Sequence, residues 1–244
     1  MYPETSPAIS DGIIAIVLTS FLVFFYYWLT GSMQVAKRSR GRSGDEDTQS
    51  REILFNRILG ASLFGLVPII LVLTALKQYD FKLGLSGETF ERSLLYWLFS
   101  SPLIISLTWI ISRRPENLSR YPQIRSGVWN AKLIILSALG WIVYLTGYEL
   151  LFRGFLLFAC EVSFGFWPAV LINILLYALA HIKKSRMEIA GSLPVGFVLS
   201  LVTLRLGSIW FALLAHITMA LANEWISVFN NRGMRFISFK KTAR

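Results

Sequence analysis

Long runs of apolar residues restrict the fold of this chain more than any other feature of its sequence. Stretches of about 18 or more apolar residues recur, and each is long enough to cross a bilayer as a helix. Hydrophobic residues make up 55% of the 244 residues and charged residues only 16%, with a mean hydropathy of +0.56. Soluble domains are less apolar than this. The sequence therefore predicts an all-α fold, a polytopic transmembrane helix bundle.

About seven spans are expected from the apolar runs. They lie near Gly12–Leu29, Ile53–Leu76, Ser93–Ser112, Ala131–Cys160, Pro168–Ile182, Ile189–Leu204 and Ile209–Val228. The first run lacks the basic segment that precedes the apolar part of a signal peptide, so it is interpreted as a retained span. The fourth run is close to 30 residues long, so its helix either extends beyond the hydrocarbon or tilts within it.

These spans divide the chain into three regions. Residues 1–130 hold three transmembrane helices and a polar, Gly/Ser-rich segment at 31–52 that is expected to be a flexible cytoplasmic loop. Residues 131–228 form a helical core, and residues 229–244 form a basic cytoplasmic tail. We find no internal repeat of the kind that builds many transporters, which makes a transporter the less favoured class.

The net charge of +10 is explained by the position of the basic residues between the apolar runs, and nucleic acid is not expected as a partner. Loops after the first, third and fifth spans are basic, as is the tail. Because Lys and Arg accumulate on the cytoplasmic side, this distribution predicts an N-terminus outside and a C-terminus in the cytoplasm. Cys160 is the single cysteine, so no intrachain disulfide can form.

A carboxylate and a guanidinium lie within the fourth apolar run. Glu149 and Arg153 are four residues apart and therefore share one face of a helix. Ionisable groups are costly in hydrocarbon and usually face a protein interior or a water-filled cavity, where they mark function. The alternative is a buried ion pair that only fixes helix packing.

Polar residues on two later spans complete a candidate site. Their members are Asn173, Tyr177 and His181 on the fifth span, and His216, Asn223 and Glu224 on the seventh. The first three recur every four residues and so form one stripe. His181 and His216 are the only histidines of the chain, and histidine is well suited to proton transfer near neutral pH. Counted from the outer turns at the helical rise, Glu149 and both histidines fall within about 8 Å of one level.

Each of these residues also has a simpler interpretation. His181 follows an apolar run directly before basic residues and could be an interfacial residue. For His216, the simpler role is a hydrogen bond to a neighbouring helix, and Asn173 and Asn223 are typical of polar helix-packing contacts. The joint pattern favours a shared polar site in the membrane.

At these residues the sequence resembles the CAAX-protease and bacteriocin-processing family of intramembrane endopeptidases. The family pattern is EExxxR followed by Gly, then FxxxH, then HxxxN or HxxxD. Here the three parts are Tyr148-Glu149-Leu150-Leu151-Phe152-Arg153-Gly154, then Tyr177-Ala178-Leu179-Ala180-His181, then His216 with Ala220 at the fourth position after it. The resemblance covers about Ala131–Val228. Tyr148 stands where the family has its first glutamate, and Ala220 where it has Asn or Asp.

The resemblance implies an intramembrane endopeptidase that cleaves a membrane-associated protein or peptide. The compact chain is more typical of a bacterial member of the family, so we expect it in the bacterial cytoplasmic membrane. We expect Glu149, with His181, to activate a water, His216 to donate to the oxyanion, and Arg153 to orient Glu149. Tyr148, Asn173, Tyr177 and Asn223 are expected to support the site or bind substrate. The resemblance favours a mechanism without a required metal or other cofactor, although a glutamate with two histidines could hold zinc. The alternative is a catalytically inactive relative that binds membrane peptides or partner proteins.

Overall fold

The computed structural model describes residues 7–39, 46–74 and 83–237, and these are mostly helical. The α-helices are α1 Pro7–Ser39, α2 Glu46–Ala61, α3 Val67–Thr74, α4 Phe90–Ser112, α5 Pro115–Leu118, α6 Ala131–Glu149, α7 Phe158–Phe164, α8 Phe166–Leu179, α9 Arg186–Leu206 and α10 Trp210–Asn230. Two π-helical segments, Ser62–Leu66 and Leu150–Leu157, join α2 to α3 and α6 to α7. A 3-10 turn, Gly87–Thr89, precedes α4. The strands β1 Val128–Asn130 and β2 Arg235–Ile237 pair in parallel.

Among the described residues, six helical stretches are long and apolar enough to cross a membrane. The seventh predicted span is α8, which has only 14 residues. The fourth span is the longest, because α6, the second π segment and α7 form 34 continuous helical residues. The chain is therefore an integral multi-pass membrane protein with an all-α bundle, as the apolar runs predict.

The prediction of a flexible loop at residues 31–52 is wrong for most of that range. Helix α1 continues to Ser39, and α2 already begins at Glu46, so only residues 40–45, outside the described part, separate the two helices. Glu46 and Asp47 lie in the first turn of α2, where negative charge complements the helix dipole and lets the helix begin ahead of the apolar run.

The predicted tail also contains ordered structure. Residues 235–237 of the tail form β2, which pairs with β1 immediately before α6, with Trp129 opposite Phe236. Residues 238–244 lie outside the described part. The short parallel pair therefore ties the end of the last span to the start of the fourth.

Two helix ends near the candidate site differ from their predicted positions. Helix α8 ends at Leu179, so His181 lies in the following turn rather than within the helix. The break between α7 and α8 is the single residue Gly165, whose positive φ of 85° suits glycine. Pro168 falls in the first turn of α8, where the missing N–H has no helical partner to lose.

The most extensive helix pairs place the fourth span at the centre of the bundle. Helix α2 packs on α6, α1 packs on α7, α8 packs on α9, and α4 packs on α10. The largest core cluster surrounds the second π segment and includes the fully buried Phe152 and Phe155 with Tyr148 and Tyr177. The polar residues of the fourth span are therefore enclosed by protein rather than lipid.

Candidate active site

The carboxylate of Glu149 joins two helices at the centre of the bundle. Its Oε1 lies 2.6 Å from Nδ1 of His216 on α10 and accepts a 3.2 Å hydrogen bond from Nη1 of Arg153. Glu149 and Arg153 are both fully buried, while the side chain of His216 keeps 15% exposure. Glu149 Oε2 and the Nε and Nη2 atoms of Arg153 have no hydrogen-bond partner within the described part of the chain. The predicted ion pair is thus a three-residue cluster that includes a histidine.

A change of helical geometry follows Glu149 directly. The π segment Leu150–Leu157 contains Arg153 and is entirely buried. Such segments place one extra residue in a turn and frequently occur at functional sites. Asn173 of α8 is fully buried beside it, donates from Nδ2 to the backbone carbonyl of Phe152, and accepts a 3.0 Å hydrogen bond from Ser200. Asn173 therefore holds the π segment in place and reaches none of the charged groups by a hydrogen bond.

The sequence predicts that Glu149 works with His181, but its hydrogen bond goes to His216 instead. His181 uses its Nδ1 differently, in a 2.8 Å hydrogen bond with the carbonyl of Tyr177. Because a carbonyl can only accept, Nδ1 of His181 carries the proton and its Nε2 is left as an acceptor. The two histidines therefore have separate anchors, a backbone carbonyl for one and a buried carboxylate for the other.

Tyr148 lies between the two histidines. Its ring meets His181 at a centroid distance of 6.4 Å and His216 at 5.7 Å, both edge to face. Tyr177 is also close, with its ring 4.6 Å from that of His181 and 4.2 Å below the guanidinium of Arg153. Tyr148 and Glu149 are neighbours on α6 and their side chains point in different directions. The tyrosine ring therefore contacts both imidazole rings, while the glutamate carboxylate is hydrogen-bonded only to the imidazole of His216.

The histidines and Tyr148 line a cavity of about 270 Å³. Its wall is largely aromatic and apolar, and its lining also includes Asn117, Ala220 and Asn223. Glu149 and Arg153 are not among the lining residues. A molecule in the cavity would therefore meet the imidazole of His216 first, with the carboxylate behind it.

A lysine lies at one end of the cavity. Lys184 Nζ is 3.1 Å from the hydroxyl of Tyr121, which donates a 2.8 Å hydrogen bond to Glu188. Burial favours the neutral amine, but the neighbouring Tyr121 and Glu188 outweigh that effect and raise the pKa of Lys184 above its ordinary value. Burial also raises the pKa of the Tyr121 hydroxyl. This end of the cavity therefore carries a charged ammonium beside a neutral phenol.

Glu224 belongs to a second buried network rather than to the histidines. Its Oε1 accepts a 2.6 Å hydrogen bond from Ser137 and lies 3.5 Å from Nη2 of Arg57 on α2. Arg57 also donates to the Ser137 carbonyl at 2.8 Å and stacks 4.1 Å over Trp141. Arg57 lies within the second apolar run and was not predicted as a site residue, although an arginine inside a span indicates a buried partner by the same rule that singled out Glu149.

No three His, Cys, Asp or Glu side chains cluster as a possible metal site within the described ranges. The geometry of Glu149 and His216 bears on zinc in another way. Both ligand atoms would have to lie about 2 Å from one ion, so their direct 2.6 Å hydrogen bond would have to open. Metal independence stays a prediction.

One comparison with known proteins bears on this site. Residues 129–222 match the family model described as type II CAAX prenyl endopeptidase Rce1-like. The helical core of this chain is therefore similar to the CAAX-protease family. No curated protein and no solved structure gives a significant match.

The CAAX-protease match includes the buried cluster and both cavity histidines. It contains Glu149, Arg153, His181 and His216, and it ends one residue before Asn223. The resemblance drawn from the three motifs is thereby confirmed at the level of the family, and the family is one of endopeptidases.

Proposed function

We propose that this chain is an intramembrane endopeptidase that cleaves a membrane-associated protein or peptide with a water activated by the Glu149–His216 pair. The observation that carries the proposal is the 2.6 Å contact between Glu149 Oε1 and His216 Nδ1. It joins a fully buried carboxylate to a histidine that lines a cavity. A carboxylate behind a histidine is a recurrent way to make an imidazole a base in hydrolases.

The hydrogen-bond pattern supports a separate role for each ring nitrogen of His216. A carboxylate accepts, so Nδ1–H donates to Glu149 and Nε2 offers a lone pair toward the cavity. Nε2 would take a proton from a water as the water oxygen bonds to the substrate carbonyl carbon. It would then return that proton to the departing nitrogen as the C–N bond breaks, which yields a new carboxyl and a new amine.

The proposal gives Glu149 a less direct role than the one expected from the motif alone. Its carboxylate is fully buried and does not line the cavity, so it would act on the water through His216. Arg153 donates to the same carboxylate oxygen and would keep Glu149 ionised and oriented. Glu149 would in turn stabilise the imidazolium that forms when His216 accepts the proton.

His181 would hold the attacking water from a second direction. Its Nδ1 is engaged by the Tyr177 carbonyl, so Nε2 is the atom available to accept a hydrogen bond from that water. Two imidazole acceptors fix a water more narrowly than one, which reduces the entropy lost on reaching the transition state.

The surroundings of the site support a proposal for the substrate class. The cavity lies within a bundle of membrane-spanning helices and is lined largely by apolar and aromatic groups, which suits a peptide delivered by a lipid or hydrophobic anchor. The matched family model carries the description CAAX prenyl endopeptidase. We extend that class to this chain and propose a prenylated or otherwise membrane-anchored peptide as its substrate.

A second candidate function is favoured by Tyr148. The family pattern has a glutamate there, whereas here a phenol ring lies against both histidines. Without a carboxylate in the place of Tyr148 beside the histidines, the same pocket could bind a membrane peptide and not cut it. The second candidate is therefore a CAAX-protease relative that binds peptides or partner proteins.

One assay separates the two candidates. The purified protein in lipid nanodiscs is incubated with a panel of transmembrane and prenylated peptides, and the products are identified by mass spectrometry. We expect the parent to cleave, and His216→Gln and His181→Gln to lower the rate at least about a hundredfold. Specific binding by the parent without any product would favour the second candidate.

The matched control is Glu224→Gln. This variant also neutralises a buried carboxylate that faces an arginine, but its carboxylate contacts Arg57, Ser137 and Gln123 rather than a histidine. It should retain most of the cleavage rate. A cleavage rate that survives His216→Gln would show that the Glu149–His216 pair is not the base.

A further inference from the structure

Two asparagines meet at one end of the cavity. Asn117 of α5 donates from Nδ2 to the backbone carbonyl of Ser112 at 3.1 Å and to Oδ1 of Asn223 at 2.9 Å. Because a backbone carbonyl can only accept, the bond to Ser112 fixes which end of the Asn117 amide is Nδ2. Asn223 must then turn its own Oδ1 toward Asn117, so the orientation of both amides is determined by the network.

The two remaining amide atoms are a donor and an acceptor. Asn117 Oδ1 and Asn223 Nδ2 have no hydrogen bond within the described part of the chain. Neither atom is fully buried. Both residues are half-buried and line the cavity. Two hydrogen-bonded residues that line the cavity thus retain one carbonyl acceptor and one N–H donor, which together are the complement of a peptide unit.

We propose that Asn117 and Asn223 form a subsite that binds one peptide unit of an extended substrate segment. The substrate N–H would donate to Oδ1 of Asn117, and the substrate C=O would accept from Nδ2 of Asn223. The inference rests on the proposed function for its peptide ligand. It adds a recognition site made by Asn117 and Asn223, and both residues lie outside the range 129–222 that matches the family model.

The spacing along α10 places this subsite relative to the reacting bond. Asn223 follows His216 by seven residues, so the two share a face and lie about 10 Å apart along the axis. An extended peptide advances about 3.3 Å per residue, so the bound peptide unit is about three residues from the one beside His216. Ala220, which also lines the cavity between them, contributes only a methyl group and leaves a path for the backbone.

The subsite also selects a conformation of the substrate. In a helix, the backbone N–H and C=O groups are already paired within the segment, so an intact transmembrane helix has none to offer. A segment that engages Asn117 and Asn223 must be extended over about three residues beside the cleaved bond. Juxtamembrane and terminal segments of anchored proteins meet that requirement.

The test measures binding separately from cleavage. A fluorescent, S-farnesylated heptapeptide is titrated onto the full-length protein in nanodiscs, together with a series in which each backbone nitrogen in turn is methylated. We expect one N-methyl position to weaken binding about tenfold, because it removes the donor to Asn117 Oδ1. In the parent, that position should lie about three residues from any cleaved bond.

Asn223→Asp isolates the other half of the subsite. The aspartate keeps an oxygen to accept from Asn117, but it replaces the N–H donor that faces the cavity with an acceptor. We expect about tenfold weaker binding of the unmodified peptide. Asn230→Asp is the matched control, since it makes the same change one further heptad along α10 at a residue that does not line the cavity, and it should bind like the parent.

The outcomes separate the subsite from the proposed activity. Binding with the expected N-methyl and Asn223→Asp effects, but no product, would support the subsite and overturn the endopeptidase. Cleavage with equal affinities for all methylated peptides, or unchanged binding by Asn223→Asp, would overturn the subsite alone. Absence of binding by the parent would overturn the subsite as well.

Discussion

Glu149 and His216 are 67 residues apart in the chain, and Oε1 of the first lies 2.6 Å from Nδ1 of the second. The contact links α6 to α10, and it joins a fully buried carboxylate to a histidine whose side chain keeps 15% exposure. A buried carboxylate that is not among the lining residues of the cavity is thereby hydrogen-bonded to a histidine that lines it.

Removal of the Glu149 carboxylate should destabilise the protein because Arg153 would remain buried without an anion. We expect Glu149→Gln to lower the free energy of unfolding by about 3 kcal/mol, and the double variant Glu149→Gln with Arg153→Met to lower it by less. The measurement is reversible denaturant unfolding in mixed micelles. Glu91→Gln, at an exposed position, serves as the control with little effect. Equal losses in the single and double variants would contradict the ion-pair account.

Replacement of Tyr148 should reveal how much the missing family glutamate matters. Tyr148→Glu would place a carboxylate against both histidines, and we expect it to raise the cleavage rate at least about tenfold. Peptide cleavage in nanodiscs is the measurement. Tyr148→Gln, which has nearly the same shape without the charge, is the control and should show no gain. A rate for Tyr148→Glu at or below that of Tyr148→Gln would argue against a water at this position.

Gly147 should be intolerant of any side chain, because the backbone at the end of α2 lies directly against it. An added Cβ would lie 2.7 Å from the Ala61 carbonyl oxygen and 2.8 Å from its Cα, both backbone atoms that cannot rotate away. We expect Gly147→Ala to lower the free energy of unfolding by about 1–3 kcal/mol. Gly31→Ala, where nothing lies within 4 Å, is the control and should be neutral or slightly stabilising. Equal stability of the two variants would contradict the close approach of the helices.

The orientation proposed from the basic loops can be tested with single cysteines. Cys160 is fully buried, so background labelling by an impermeant maleimide should be low. We expect Glu88→Cys to be labelled in intact cells, and Arg120→Cys only after the membrane is opened, because basic loops remain cytoplasmic. Both positions are exposed. The reverse pattern would invert the proposed topology.

Chelation should leave cleavage unchanged. The described residues hold no group of three His, Cys, Asp or Glu side chains that could bind an ion together, so 1,10-phenanthroline at millimolar concentration should not affect the rate. The control is a zinc endopeptidase inhibited in the same buffer. Loss of activity that is restored by added zinc would contradict the metal-independent mechanism.

Much of this organisation can be predicted from the chain alone, for identifiable reasons. The positions of Glu149 and Arg153 on one face follow from helical spacing, and they do form a buried pair. The same spacing places Asn173 and Tyr177 on one stripe, and both are buried. The end of α8 before His181 was harder to predict, because the apolar run continues past the last helical residue.

Partners on different helices could not be predicted in the same way. Spacing along a helix defines which residues share a face, but not how each helix is rotated against its neighbours. That rotation decided that Glu149 meets His216 rather than His181, and that Glu224 meets Arg57. The π segment after Glu149 shifts the register of the fourth span further, and nothing in its apolar composition distinguishes it from an ordinary helix.

By itself, the sequence determined a membrane-embedded helical bundle, a CAAX-protease-like order of motifs and a buried acid–base pair. These depend on local composition and on spacing within single helices, which the chain states directly. Only the tertiary structure decided that Glu149 lies behind His216, that Tyr148 faces both histidines and that Asn117 pairs with Asn223. The physical reason is that close packing selects the rotation, depth and side-chain direction of every helix together, so contacts between distant residues belong to the assembled bundle.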